Sequence, residues 1–270
     1  MIFRHSHLGF LVPLSGRMGV RMKFDNCIYK GELKSVYYED GKAIKVFAPN
    51  YSKTDVLYEA LNTARVEDAG MDIPKLLDVS FENGQWSITS EFIEGKTLST
   101  LMKENPSKMD IYIEQMVDLQ LEINQKQNPL LNKLKDKLST QIDSLDMIND
   151  STKYELRTLL ESMPKHTKLC HGDFNPDNII VTESGKLYVI DWVHATQGNA
   201  SADVARTYLL LAIKSLKIAD KYLNCFCEKS ATAKKYVEHW IPIVAAAQLG
   251  KNRPEEKELL LKWADISDFS

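Results

Sequence analysis

The chain has 270 residues with 34 Lys and Arg against 37 Asp and Glu, a formal net charge of −3. That balance gives no basic face for nucleic acid, and no apolar run approaches the roughly 20 residues needed to cross a bilayer. Length allows one large domain or two small ones, and four scattered cysteines are too sparse for a disulfide framework, which points to reduced thiols and a cytoplasmic protein.

Residues 1–22 stand apart, holding three of the seven arginines (Arg4, Arg17, Arg21) with no lysine and no acid. Pro13 interrupts their apolar patch and no small-x-small cleavage site follows. This stretch is expected to be an extension outside the folded unit, with Met18 or Met22 as the real beginning. From residue 23 the pattern is strand and turn, with strands at 26–30, 35–38 and 43–47 and Asp40-Gly41 as a hairpin turn. A helix is predicted over 53–69, capped by Ser52 or Thr54, with Val56, Leu57, Ala60, Leu61 and Ala64 as its apolar stripe and Gly70 as its end. Strands at 75–81 and 86–92, joined through Glu82-Asn83-Gly84, complete a small antiparallel sheet.

After Gly95 helical patterns dominate, at 98–104, 109–127, 131–145 and 154–163. After Leu169 short strands return, at 178–182 and 187–190, with Ser184-Gly185 as the turn between them. Helices follow at 202–216 and 234–249, and a last one opens at Pro254 with Glu255 and Glu256 where the helix dipole favours acids. Strands first and helices after give an α+β fold in two lobes, 23–95 and 96–270, hinged around 91–95.

The chemistry concentrates in Leu169-Cys170-His171-Gly172-Asp173-Phe174-Asn175-Pro176-Asp177-Asn178 and in Ile190-Asp191-Trp192. Asp173, Asn178 and Asp191 sit at loop or strand ends beside a tight hairpin, where three oxygen-bearing side chains can converge. Magnesium takes hard oxygen donors and keeps water and phosphate oxygens, so one Asp and one Asn are a plausible protein share, with Asp173 left to accept a proton. The spacing matches the kinase pattern His-x-Asp-x-x-x-x-Asn followed by a metal-binding Asp.

These motifs resemble the aminoglycoside phosphotransferase and choline kinase group of small-molecule kinases, whose signature is His-Gly-Asp, an Asn five residues on, then Ile-Asp-Trp or Ile-Asp-Phe. The resemblance spans about 23–264 and implies a protein-kinase-like fold, with a small antiparallel-sheet N-lobe for nucleotide and a mainly helical C-lobe. It implies ATP and Mg2+ as cofactors and a small-molecule hydroxyl as acceptor. By the same resemblance Asp173 is the catalytic base, and Asn178 and Asp191 are the metal ligands. Lys45 contacts the α and β phosphates, and Glu59 is its helix partner, with Glu67 as second choice. The backbone of Glu91 and Ile93 holds adenine, and Asp203 supports the catalytic loop. His171 reads as a structural hydrogen-bonder in that loop, and His194 as a surface or lobe-packing residue.

Two departures matter. The loop expected to cover the phosphates, around Gly31-Glu32-Leu33-Lys34-Ser35, has one glycine, so Ser35 or nearby backbone is expected to substitute. No Phe-Gly follows Asp191 and no Ala-Pro-Glu element follows it, which disfavours a protein-serine kinase. A nucleotide-holding module without transfer is the other alternative, and the intact Asp173, Asn178 and Asp191 count against it. For the acceptor wall the candidates are Glu238, His239, Trp240, Glu255 and Glu256. The near-neutral charge of 96–270 does not choose among an antibiotic, an amine alcohol and a sugar-like metabolite.

Overall fold

The structure, a computed structural model, describes residues 26–265; the extension expected at 1–22 lies outside the described residues. Five antiparallel strands form the N-terminal sheet: β1 (Cys27–Lys30), β2 (Lys34–Glu39), β3 (Lys42–Phe47), β4 (Leu76–Glu82) and β5 (Gln85–Glu91), in the order β1-β2-β3-β5-β4. The two predicted hairpins are tight turns with both central residues at positive φ, Asp40 (47°) with Gly41 (75°) and Asn83 (53°) with Gly84 (79°). This twist matches that of the flanking strands.

Helix α1 (Lys53–Asp68) packs on this sheet, with Ser52 as its cap accepting from the Asp55 N–H. Its buried face differs from the expected stripe. Val56, Glu59, Ala60, Asn62 and Val66 are buried, whereas Leu57 and Leu61 are 42% and 47% exposed. The helix meets the sheet on one side and the segment Trp192–His194 on the other, and this second contact buries Asn62, whose Nδ2 donates to Val193 O at 3.0 Å. The N-lobe core is correspondingly small, built on Phe47, Val56, Ala60 and Ile88.

The C-lobe opens with β6 (Lys96–Thr97), α2 (Leu98–Glu104), α3 (Met109–Ile123), α4 (Leu134–Asp143) and α5 (Asp150–Ser162). Three short strands follow, β7 (Lys168–Cys170), β8 (Ile179–Val181) and β9 (Leu187–Val189), then β10 (Thr196–Gly198). β8 pairs with both β6 and β9, and β10 pairs with β7, so the loops after β7 and β9 leave two separate small sheets. The chain ends in α6 (Ala200–Lys214), α7 (Leu216–Ser230), α8 (Lys234–Glu238), α9 (Ile241–Leu249) and α10 (Lys257–Trp263).

Two boundaries depart from the expectation. α7 is absent from the sequence-based reading, although Ala219, Tyr222, Leu223 and Phe226 bury one face at helical spacing. Ser215 ends α6 in an extended conformation and caps α7 at once, accepting from Ile218 N. The predicted helix over 234–249 is broken because Pro242 lacks an N–H and is tolerated only in the first turn of a new helix. Among the described residues no helix is long and apolar enough to cross a membrane.

Phe47 is fully buried and carries much of the small N-lobe core. Phe47→Ala should cost about 3–5 kcal/mol, read as a lower urea midpoint by tryptophan fluorescence from Trp86.

Candidate active site

A cavity of about 620 Å3 lies between the lobes, its wall including Lys45, Glu59, Ser90–Ile93, Asn178 and Asp191. Lys45, on β3, pairs with the Glu59 carboxylate of α1 and reaches Asp191 Oδ1 at 3.2 Å. Glu67 is elsewhere, accepting from the Leu76 N–H, so Glu59 is the partner of Lys45. Burial opposes the charge on Lys45, yet Asp191 and Glu59 outweigh it and hold its pKa above the ordinary value. Burial likewise works against the Asp191 carboxylate, but Lys45 and Lys34 overcome it and hold that group well below the usual carboxylate range.

Lys34 is the residue missed from sequence, binding Asp191 Oδ2 at 3.0 Å. Ser35, the expected substitute, lies within β2 and does not line the cavity. Strand alternation explains the exchange: Val36 is directly opposite Lys45, so Lys34 and Val36 share its face while Ser35 points away. A period-two reading of Lys34-Ser35-Val36 would have found it.

In the hinge, the Glu91 and Phe92 N–H groups are consumed by Lys75 O (3.0 Å) and Gly41 O (2.9 Å). Among the described residues the N–H of Ile93 has no acceptor, and both Glu91 and Ile93 line the cavity. A backbone N–H without an acceptor beside an apolar slot can hold the edge of a flat heterocycle.

The loop after β7 is built from below. Asp203, in the first turn of α6 and 2% exposed, accepts from His171 N at 3.0 Å and Gly172 N at 2.7 Å. His171 is fully buried; its Nδ1 accepts from Asp173 N (3.1 Å), so Nε2 carries the proton and donates to Ile190 O (3.1 Å). With both ring nitrogens occupied, His171 ties the two functional loops together and is not a base. Gly172 has φ +79°, and a Cβ there would lie 2.7 Å from His194 O. Glycine is required on both counts.

Asp173 is held in turn by amides. Asn178 Nδ2 donates to Asp173 O (2.9 Å) and Oδ2 (3.2 Å), and Asn175 Nδ2 to Asp173 O (2.8 Å). Donation through Nδ2 leaves Asn178 Oδ1 as a donor atom for a cation. Asp191 is left-handed, at φ 64° and ψ 60°, a conformation that costs a non-glycine residue energy and that its surroundings must hold. Trp192 packs its ring against His171 at a centroid distance of 4.4 Å.

On the far side of Asp173 stands Lys251, with Nζ 3.9 Å from Oδ1. His194 lines the clefts there, held neutral with its pKa pushed down to about 3 by burial and then by Lys137, Lys251 and Arg206. The acceptor-wall candidates are not brought to this place. Trp240 is core, Glu256 is buried against Gln248 and Arg253, and Glu238, His239 and Glu255 line neither cleft beside the loop.

A two-lobed α+β fold with an ion-paired strand lysine, a His-Gly-Asp loop and a following Asp defines a kinase-like phosphotransferase. Residues 38–224 match the model of the phosphotransferase enzyme family APH, and the chain belongs to that family. No curated protein matches the sequence. Among solved structures, the chain is similar to a thermostable mutant of the aminoglycoside phosphotransferase APH(4)-Ia in ternary complex with AMP-PNP and hygromycin B, with TM-score 0.68, 18% identity and 88% and 89% of the two chains covered. It is also similar to choline kinase LicA from Streptococcus pneumoniae (0.59, 16%, 86% of each chain). A third is an aminoglycoside-3'-phosphotransferase of type VIII (0.59, 14%, 82% and 94%). At these identities the likeness establishes the fold.

Two outcomes follow from the geometry. Asp203→Ala leaves the buried His171 N–H and the partly buried Gly172 N–H without acceptors, at about 1–3 kcal/mol for the buried one, and should lower the melting temperature by several degrees in a thermal melt. Because the Asp191 pKa is depressed from 3.8, the stability it contributes is complete above that value and is lost as pH falls below it. Asp191→Asn should flatten part of the acid-side fall in melting temperature below about pH 4; an unchanged acid limb would contradict the pairing.

Proposed function

We propose that the protein transfers the γ-phosphoryl group of ATP to a hydroxyl of a small molecule. The observation that carries this reading is Lys45 bonded at once to Glu59 and Asp191, with Asn178 on the same cavity wall and its amide fixing Asp173.

The residues fit magnesium. Among the described residues there is no cluster of three or more His, Cys, Asp or Glu side chains able to hold a metal. The available set is one carboxylate, Asp191, and one amide oxygen, from Asn178. That suits a hard cation that completes its shell with phosphate oxygens and water. When bound, Mg2+ would neutralise charge on the β and γ phosphates.

The chain supplies the rest. Lys45 fixes the α and β phosphates, Lys34 adds a second cation over them, and the Glu91 carbonyl and Ile93 N–H hold adenine. Asp173 orients the acceptor hydroxyl and takes its proton. Catalysis of this kind is positioning and charge compensation more than covalent work. The four cysteines form no disulfide, which suits a reducing compartment such as the cytoplasm.

If Asp173 is the general base, Asp173→Asn should lower turnover about 10²- to 10⁴-fold. ADP release would be followed on a panel of hydroxylated small molecules with MgATP. Full turnover by the variant on a substrate of the wild type would contradict the assignment.

A further inference from the structure

Beneath the catalytic loop, away from the nucleotide cavity, lies a second cavity of about 50 Å3. Gly172 and Asp203 form its roof, α4 supplies Lys137, α6 supplies Arg206, and Lys251 closes it just past α9. Arg206 is 9% exposed, its buried Nε has no hydrogen-bond partner, and among the described residues its guanidinium makes no ion pair. Buried guanidinium groups are ordinarily matched by a carboxylate or phosphate.

The acids nearby do not supply that match. Both Asp203 oxygens are taken by the His171 and Gly172 N–H groups. Glu256 is paired with Arg253 at 2.9 Å. Asp173 lies 3.9 Å from Lys251 and has its other oxygen on Asn178. Four cations, Lys137, Arg206, Lys251 and Arg253, face three committed carboxylates, which leaves the cavity positive next to the proposed base.

We propose that the acceptor carries an oxyanion, a phosphate or a carboxylate, and that Arg206, Lys137 and Lys251 hold it beside Asp173. This rests on the phosphotransfer reading and narrows its substrate class. Ordinary hydrogen-bond lengths to Asp173 and Lys251, with those two groups 3.9 Å apart, put the hydroxyl and the anion within about 9 Å of each other. The acceptor is therefore a compact hydroxy acid or hydroxylated phosphate ester. A polycation or an amine alcohol would bring like charge to the same wall.

Electrostatics agree with the geometry. Burial, then Arg206 and Lys251, push the Lys137 pKa down to about 8; burial, then Arg206, push Lys251 down to about 8. An oxyanion placed among these groups relieves that repulsion. The wider cleft outside, about 580 Å3, has Asp55, Asp136 and Lys133 exposed along it, so its charge is mixed and the inner cavity does the sorting.

The test is calorimetric titration of the protein, loaded with saturating MgAMP-PNP, with inorganic phosphate and with malonate. Wild type should bind at least one of them, and the double variant Lys137→Gln, Lys251→Gln should bind it about tenfold more weakly or worse. Preference for phosphate marks the acceptor as a phosphate ester, and preference for malonate as a carboxylate. Arg206→Lys, which keeps the charge but loses the planar fork, should also weaken binding and covers the case in which the double variant does not fold. No binding of either anion by wild type, or equal binding by wild type and variants, overturns the proposal. Failure of wild type to take up MgAMP-PNP would instead overturn the phosphotransfer reading, and the difference between wild type and variants in the anion titration would still decide the cationic cavity.

Discussion

The structure depends on one lysine shared between two carboxylates. Lys45 comes from the N-lobe sheet, Glu59 from the helix that packs on that sheet, and Asp191 from the C-lobe loop after β9. Burying an ammonium is unfavourable unless it is paired, and here the two partners come from different parts of the molecule. Satisfying the charge therefore fixes α1 against the sheet and one lobe against the other. Asn62, bonded from the buried face of α1 to Val193 O, adds a neutral contact across the same boundary.

A second set of bonds carries that registration to the reacting side. Asp203 holds the His171 and Gly172 N–H groups, His171 reaches Ile190 O just before Asp191, and Asn178 returns to Asp173. Asp173 and Asp191 are thus positioned by one continuous network of hydrogen bonds anchored on the buried His171 and Asp203. Displacement of the His171 ring would be felt at both aspartates, which is why a buried neutral histidine belongs at this position.

The sequence was most informative where chemistry restricts residue type. The His-Gly-Asp, Asn and Ile-Asp-Trp letters, both hairpin turns and the sheet-then-helix order could be read without coordinates. A serine in a glycine-poor loop looks like a phosphate contact, but strand register puts Lys34, not Ser35, on the face of Lys45. On α1 hydrophobicity does not mark the buried face, because Glu59 and Asn62 are buried toward their partners and Leu57 and Leu61 are left outside. The group Lys137, Arg206 and Lys251 was invisible, since three residues far apart in the chain meet only when α4, α6 and the end of α9 pack together. The near-neutral total of the C-lobe concealed a local excess of positive charge.

The cavity between the lobes carries Lys34, Lys45 and a hinge N–H without an acceptor, and the cavity beneath the His-Gly-Asp loop carries Lys137, Arg206 and Lys251. In the proposed reaction, phosphoryl transfer from an ATP held on one side to a hydroxyl held on the other would pass between Asp191 and Asp173. The most direct measurement is the affinity for ATP with and without Mg2+, in wild type and in Asp191→Asn. The account predicts that Mg2+ tightens ATP binding by the wild type and that the variant loses this dependence. ATP affinity indifferent to Mg2+ in the wild type, or no ATP binding at all, would contradict it.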